Sequence, residues 1–150
     1  MVLVKPPIYF HFLVQPFYFP HRAAIKIFLL SIFKEHYKTV QGLNFIFCSD
    51  KYLLSLNQKH LRHDYYTDII TFELNEQGQP VLSDVYISIE RTRQNAQHFK
   101  VSINNEILRL LIHGTLHLCG YKDKKTAERE EMKKKEDYYL NKYLFHVKQI

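Results

Sequence analysis

Ile107, Leu108, Leu110, Leu111, Ile112, Leu116 and Leu118 crowd the stretch from Asn105 to Cys119 so densely that a helix built from it is apolar nearly all round. Such a helix is stable only inside a fold, packed on several sides at once. The rest of the chain has to be arranged around it. Two histidines stand in this stretch at helical spacing: His113 and His117 lie four apart, on one face and about 40° apart in projection, so they can share one ion. Gly120 then supplies a residue able to take a positive φ and end the helix, which lets the chain fold back and bring Asp123 toward the same ion. The chain has four glycines, and two of them, Gly114 and Gly120, fall within these eleven residues from His113 to Asp123.

Two imidazole nitrogens and one carboxylate with an open fourth position suit Zn²⁺, one ion per chain, in the pattern of a catalytic site. A buried helix whose histidines only bond their neighbours would leave Gly120 and Asp123 unexplained. The spacing parallels the zinc-binding stretch of metzincin-like proteases, but those enzymes need a glutamate directly after the first histidine as general base. Gly114 stands there, so peptide hydrolysis is set aside. Two histidines and a carboxylate also serve non-haem iron oxygenases, which require Fe(II) and open positions for oxygen. Cys119 is six residues from His113 and falls off the histidine face. Glu106, seven residues before His113, is nearly in line with both histidines; the favoured reading is that it complements the positive end of its own helix, with support of the metal pocket as the alternative.

A net charge of +6 and a pI near 9.2 favour a polyanionic partner. Lys122, Lys124 and Lys125 surround Asp123, placing a positive collar where a phosphodiester would be attracted. The later run Lys133 to Lys135, set among Glu128, Glu130, Glu131, Glu136 and Asp137, reads as a solvated face. Cys48 and Cys119 form no disulfide framework and no C-x-x-C pair, which suggests a reducing compartment. Met1 to Pro20 is apolar and aromatic, but Lys5, Pro6, Pro7, His11 and Pro16 interrupt it and no small-residue cleavage site follows. Ala23 to Phe33 contains Lys26 and Ser31 and is shorter than the roughly 18 residues of a membrane span. A soluble, cytoplasmic protein without a membrane partner is expected.

At 150 residues and 46% hydrophobic, the chain fits one domain. Its order is alternating β and α. Strands are expected at Ile8–Val14, Leu43–Cys48, Asp68–Leu74 and Val81–Ile89, the last two as a hairpin. Helices are expected at Pro20–Tyr37 with Gly42 beyond its end, from a Ser49 or Asp50 cap to about Leu61, at Glu90–Phe99, from a Ser102 or Asn104 cap to Cys119, and at Thr126–Tyr143. On the last helix Met132, Tyr139, Leu140 and Tyr143 form the apolar side.

The motif resembles that of the YbeY-type endoribonucleases, bacterial metal-dependent enzymes of ribosomal RNA maturation, usually written H-G-x-L-H-L-x-G-Y-D-H. His113 through Tyr121 match it position by position; Lys122 and Asp123 then stand where the family has Asp and His. Asp123 thus occupies the slot of the third metal-binding histidine, and its negative charge should make bound water a little harder to ionise. Leu56, Asn57, Asp64 and Thr67 to Phe72 resemble the family's L-N…D-x-P-T-D-V-L-S-F stretch, and Ser83 to Ser88 resembles G-D-I-x-I-S. By pattern alone Thr67 and Asp68 start a strand and Asp84 is a turn residue, both in structural roles. The family's arginine six residues before the Thr is replaced by Leu61; Arg62, immediately after it, is the candidate to hold phosphate, with His63 as a possible helper.

The resemblance, more than the periodicity, implies a single α+β domain over residues 1–150: a small mixed sheet of four strands packed against helices, with the histidine helix central. It implies zinc-dependent cleavage of single-stranded RNA during maturation and quality control of small-subunit ribosomal RNA, with the ribosome or its proteins as partners. In that reading His113, His117 and Asp123 hold the metal, while Lys122, Lys124, Lys125 and Arg62 hold the RNA. The alternatives are a ribosome-associated protein with a structural metal, for which His63 or His98 would supply a fourth ligand, or another metallohydrolase.

Overall fold

The structure, a computed structural model, describes residues 5–63 and 65–148. Asp64 of the family-like stretch and the first four residues of the N-terminal segment lie outside the described residues. The elements run β1 (Ile8–Phe12), α1 (Arg22–Glu35), β2 (Val40–Cys48), α2 (Asp50–Leu61), β3 (Ile69–Glu73), β4 (Val81–Ser88), α3 (Ile89–Phe99), α4 (Ile103–Leu118) and α5 (Thr126–Lys148). Among these, no helix is long and apolar enough to cross a membrane.

Three helices start on serines, whose short side chains reach back to an otherwise unpaired backbone N–H. Ser49 Oγ accepts from Tyr52 N at 3.0 Å, Ser88 Oγ from Arg91 N at 3.1 Å, and Ser102 Oγ from Asn105 N at 3.0 Å. Serine thus prevails over Asp50 and Asn104 as the cap. After α1 the left-handed residue is Tyr37, at φ 57°. Gly42, expected beyond the helix, lies inside β2, next to a register shift between Val40 and Gly42. Asp84, expected in a turn, is in the interior of β4, where Asn44 Nδ2 donates to its carboxylate at 3.0 Å.

The sheet has the order β1-β2-β4-β3; β1, β2 and β4 are parallel and β3 is antiparallel to β4. Strand alternation gives it two faces. Phe10, Phe45, Val85 and Thr71 are in register across one face, together with Phe12, Phe47, Ile87 and Ile69. Leu29, Ile32 and Phe33 of α1, Ile107, Leu111 and Ile112 of α4, and Met132, Tyr139 and Leu140 of α5 complete the core to which this face belongs. The other face, through Cys48, Ile70, Phe72 and Tyr86, receives Leu53 and Leu56 of α2.

Helix α4 is in the middle, in contact with α1, α3, α5, β3 and β4. Ile107, Leu111, Ile112 and Leu116 are fully buried, and each burial of this kind contributes about 1.5–3 kcal/mol. Gly114 lets the helix lie close on the sheet: a Cβ there would come 3.3 Å from Val85 Cγ1, 3.5 Å from Ile69 Cδ1 and 3.6 Å from Phe45 Cε1. A glutamate at this position has no room and would point at the sheet, which gives a steric reason for the missing protease base. Gly114→Ala is expected to stay within about 1 kcal/mol of the parent, because the gain in helix propensity offsets the tight contact. Gly114→Val is expected to lose about 1–3 kcal/mol in urea unfolding. A valine variant as stable as the parent would show that α4 is not held against Val85 and Phe45.

Candidate metal centre

The C-terminal end of α4 forms a two-bond cap. Gly120, at φ 109°, donates to His117 O at 3.0 Å, and Tyr121 N donates to Leu116 O at 3.1 Å. This pairing of a left-handed glycine with a reversed chain is what the sequence anticipates after His117. Tyr121 is then pinned. His36 Nδ1 donates to Ile32 O at 2.8 Å, leaving Nε2 to accept from the Tyr121 hydroxyl at 3.0 Å. The reversed chain brings Asp123 Oδ2 to 3.4 Å from His113 Nε2.

The other nitrogen of the same ring is also held. His113 Nδ1 lies 2.9 Å from Glu136 Oε2 on α5, and the carboxylate, being acceptor only, puts the proton on Nδ1. Arg109 braces Glu136 through Nη1 at 3.4 Å and donates through Nη2 to Asp137 at 2.7 Å. A carboxylate behind an imidazole in this way is the usual second partner of a metal-ligating histidine; it sets the tautomer and points Nε2 outward. Burial opposes protonation of His113, but the Glu136 hydrogen bond and charge, then Asp123 and Asp68, outweigh it and raise its pKa above 6.5. A cation and a proton therefore compete for Nε2.

His113, His117 and Asp123 all line one cavity of about 940 Å³. His113 and Asp123 are in direct contact, but among the described residues no three or more His, Cys, Asp or Glu side chains are gathered closely enough to hold a metal ion, so the expected three-ligand set is not assembled in the structure. The donor set nonetheless fits a divalent ion. It comprises two imidazoles and a carboxylate, one imidazole is oriented by Glu136, and the other has a buried Nδ1 without a hydrogen-bond partner. Buried polar atoms left unpaired are costly, so an orphan here is informative.

In the same cavity, Asn95 Nδ2 donates to Asp68 Oδ2 at 2.9 Å and reaches Glu106 Oε2 at 3.4 Å. Glu106 is 2% exposed, its Oε1 is unpaired, and it lines the cavity. Its place in the first turn of α4 matches the favoured reading, but its carboxyl faces the cavity wall. Burial, reinforced by Asp68 and Glu136 against Asn95 and Arg109, pushes its pKa up to about 7. Asp68, read as a structural strand start, belongs to the same wall.

The cations divide differently from the expected collar. Lys124 lines the cavity; Lys122 and Lys125 are exposed and are not among its lining residues. Arg62 ends α2 in the left-handed region at φ 55°; Leu61 and His63 on either side line the cavity and Arg62 does not. Lys133 and Glu136, read as part of a solvated face, both line it. The missed signal is positional. Glu136 follows Met132 by four residues and precedes Tyr139 and Leu140 by three and four, inside the apolar stripe of α5. Arg109 is likewise the one basic residue between Asn105 and Ile112 of the apolar helix. Of the two histidines considered as a fourth ligand, His63 lines the cavity, while His98 packs its ring against Phe99. Burial pushes the Cys48 and Cys119 thiols up to about 12, so neither is a thiolate at neutral pH.

Two titrations check these assignments. Glu136→Gln is expected to lower the His113 pKa in the metal-free protein, because the charge behind Nδ1 is lost; an unchanged NMR midpoint would show that Glu136 does not govern the ring. For Glu106 the folded pKa of about 7 exceeds the ordinary 4.5. The folded state therefore holds the proton more tightly, and stability falls as pH rises through this interval. Glu106→Gln should flatten that slope and raise stability above pH 7 by up to about 3 kcal/mol. Parallel melting curves for parent and variant at pH 5 and pH 8 would contradict the assignment.

The family described as endoribonuclease YbeY matches residues 21–144. A Cytophaga hutchinsonii protein named endoribonuclease YbeY is 48% identical over 120 residues, covering 80% of this chain and 84% of its own length. One of the same name from Flavobacterium psychrophilum is 49% identical over 119 residues, covering 79% and 83%. A solution structure of a Thermotoga maritima protein superposes with a TM-score of 0.66 at 26% identity, covering 95% of this chain and 92% of that one. With the match spanning α1 to α5 and the histidine motif inside it, the chain belongs to the endoribonuclease YbeY family.

Proposed function

We propose that this protein is a zinc-dependent endoribonuclease that hydrolyses single-stranded RNA, acting in the cytoplasm on the small-subunit ribosomal RNA precursor in association with the ribosome or its proteins. The observation that carries the reading is His113, held by Glu136 at 2.9 Å behind and facing Asp123 at 3.4 Å in front, in a cavity that His117 also lines. An open cavity beside the histidines suits a site with a substrate position better than a closed structural shell.

In this reading His113, His117 and Asp123 hold one Zn²⁺, which when bound supplies Lewis acidity toward a phosphoryl oxygen and an acidified water. The other groups position and neutralise. Glu136 fixes the His113 tautomer, and Arg109 holds Glu136 in place. Lys124 and Lys133 offset the charge of the RNA backbone at the cavity. Lys122 and Lys125, exposed on either side of that loop, and Arg62, between two cavity-lining neighbours, would engage backbone phosphates outside it.

His117→Ala is expected to lower metal content and RNA cleavage together, by at least the roughly 100-fold that loss of an outer partner can cost. Full zinc occupancy in that variant would remove His117 from the site, and metal retained with no cleavage in the parent protein would favour a ribosome-associated metal protein. The Lys124→Ala, Lys133→Ala pair should make the salt dependence of single-strand binding shallower by about 1–1.5 in log–log slope. An unchanged slope would place the RNA elsewhere.

A further inference from the structure

The cavity extends beyond the ion-side groups to a set of rings. His63 and Tyr65, in the connection between α2 and β3, line it, as does Phe99 at the end of α3. Tyr65 is 56% exposed and Phe99 59% exposed, although burial of rings of this size is normally favourable. The His63 and Tyr65 rings are stacked, with centroids 5.1 Å apart and an interplanar angle of 19°, and Tyr65 Oη is 3.0 Å from His63 Nδ1. The main-chain groups of both residues are paired. His63 N donates to Asn57 O at 3.1 Å, and Asn57 Nδ2 donates to Tyr65 O at 2.8 Å, with Asn57 itself only 1% exposed. One buried asparagine thus bonds the main chain of both His63 and Tyr65.

Two rings already stacked on each other, each carried by a residue whose main chain bonds Asn57, lose little freedom when a flat ligand is laid on them. Resting on the endoribonuclease reading above, we propose that the His63–Tyr65 pair is a stacking platform for a nucleobase of the RNA strand whose backbone lies at the histidine side, with Phe99 as a second ring in the same cavity. The chemistry fits. Every base has a π face, so an aromatic platform takes any base without reading its edge. A base in a duplex is stacked on its neighbours and cannot present that face, so the platform would select unpaired RNA. It also gives the segment next to Leu61 a substrate contact that does not depend on a guanidinium.

The test measures metal-dependent cleavage of a short single-stranded RNA, and of the same strand with one abasic position moved along it, by the parent, Tyr65→Phe, Tyr65→Leu, Tyr65→Ala and Phe99→Ala. Melting temperature and metal content serve as checks on folding. Tyr65→Ala and Tyr65→Leu are expected to raise KM by about 5- to 100-fold with little change in kcat. Tyr65→Phe should stay within about threefold of the parent, since the ring remains. One abasic position should harm the parent but add nothing to the Tyr65→Ala defect. If Tyr65→Ala keeps the parent's KM and abasic sensitivity, or if Tyr65→Leu rescues fully, the platform is overturned while the nuclease reading stands. If the parent cleaves no strand with metal supplied, the nuclease reading fails and this inference falls with it.

Discussion

Every part of the site depends on how closely α4 can approach the sheet. At Gly114 the helix backbone comes so near Val85, Ile69 and Phe45 that even a methyl group would touch all three. That contact fixes the helix in depth, and the apolar residues on its remaining sides fix it laterally through α1, α3 and α5. His113 and His117, flanking Gly114 in sequence, inherit that precision. A side chain that projects from a helix packed on all sides has little room to drift, which is what a metal or catalytic centre requires.

The cavity at this end gathers more carboxyls than a low-dielectric environment readily tolerates. Asp68, Glu106, Asp123 and Glu136 all line it, answered from within by Arg109, Lys124 and Lys133. Glu136 and Asp123 pull His113 toward its protonated form against its burial, and burial, with a smaller contribution from Asp68 and Glu136, drives Glu106 toward its neutral one. Both shifts raise the local positive charge or lower the negative. A bound divalent cation, as proposed above, would relieve the same imbalance. Arg109 matters as much as the histidines here, because it neutralises Glu136 without displacing it from His113.

Much of the architecture is legible in the sequence because local rules dominate it. Serine caps, the Gly120 reversal and the alternation of β4 are short-range events, and the structure has them within a few residues of where the spacing puts them. Misreadings arise where a residue's role is set by something distant. Gly42 reads as helix punctuation and is a strand residue beside an irregularity in pairing with β4. Asp84 reads as a turn and bonds across the sheet to Asn44. Lys133 and Glu136 read as solvated because the charges around them are numerous, yet the packing of α5 on α4 turns them toward the cavity.

The sequence by itself determined the helix that must be central, the two histidines on one of its faces, and the glycine that returns the chain with Asp123, because each follows from helical periodicity or backbone freedom. It also determined family membership, through a motif whose spacing is local. Only the tertiary structure decided which carboxylate stands behind His113, which lysines face the cavity, and that Asn95 joins Asp68 and Glu106 in its lining. Those groups come from α3, α4, α5, the loop between α4 and α5 and the residue just before β3. Their proximity is a property of packing between elements far apart in the chain, and no local pattern encodes it.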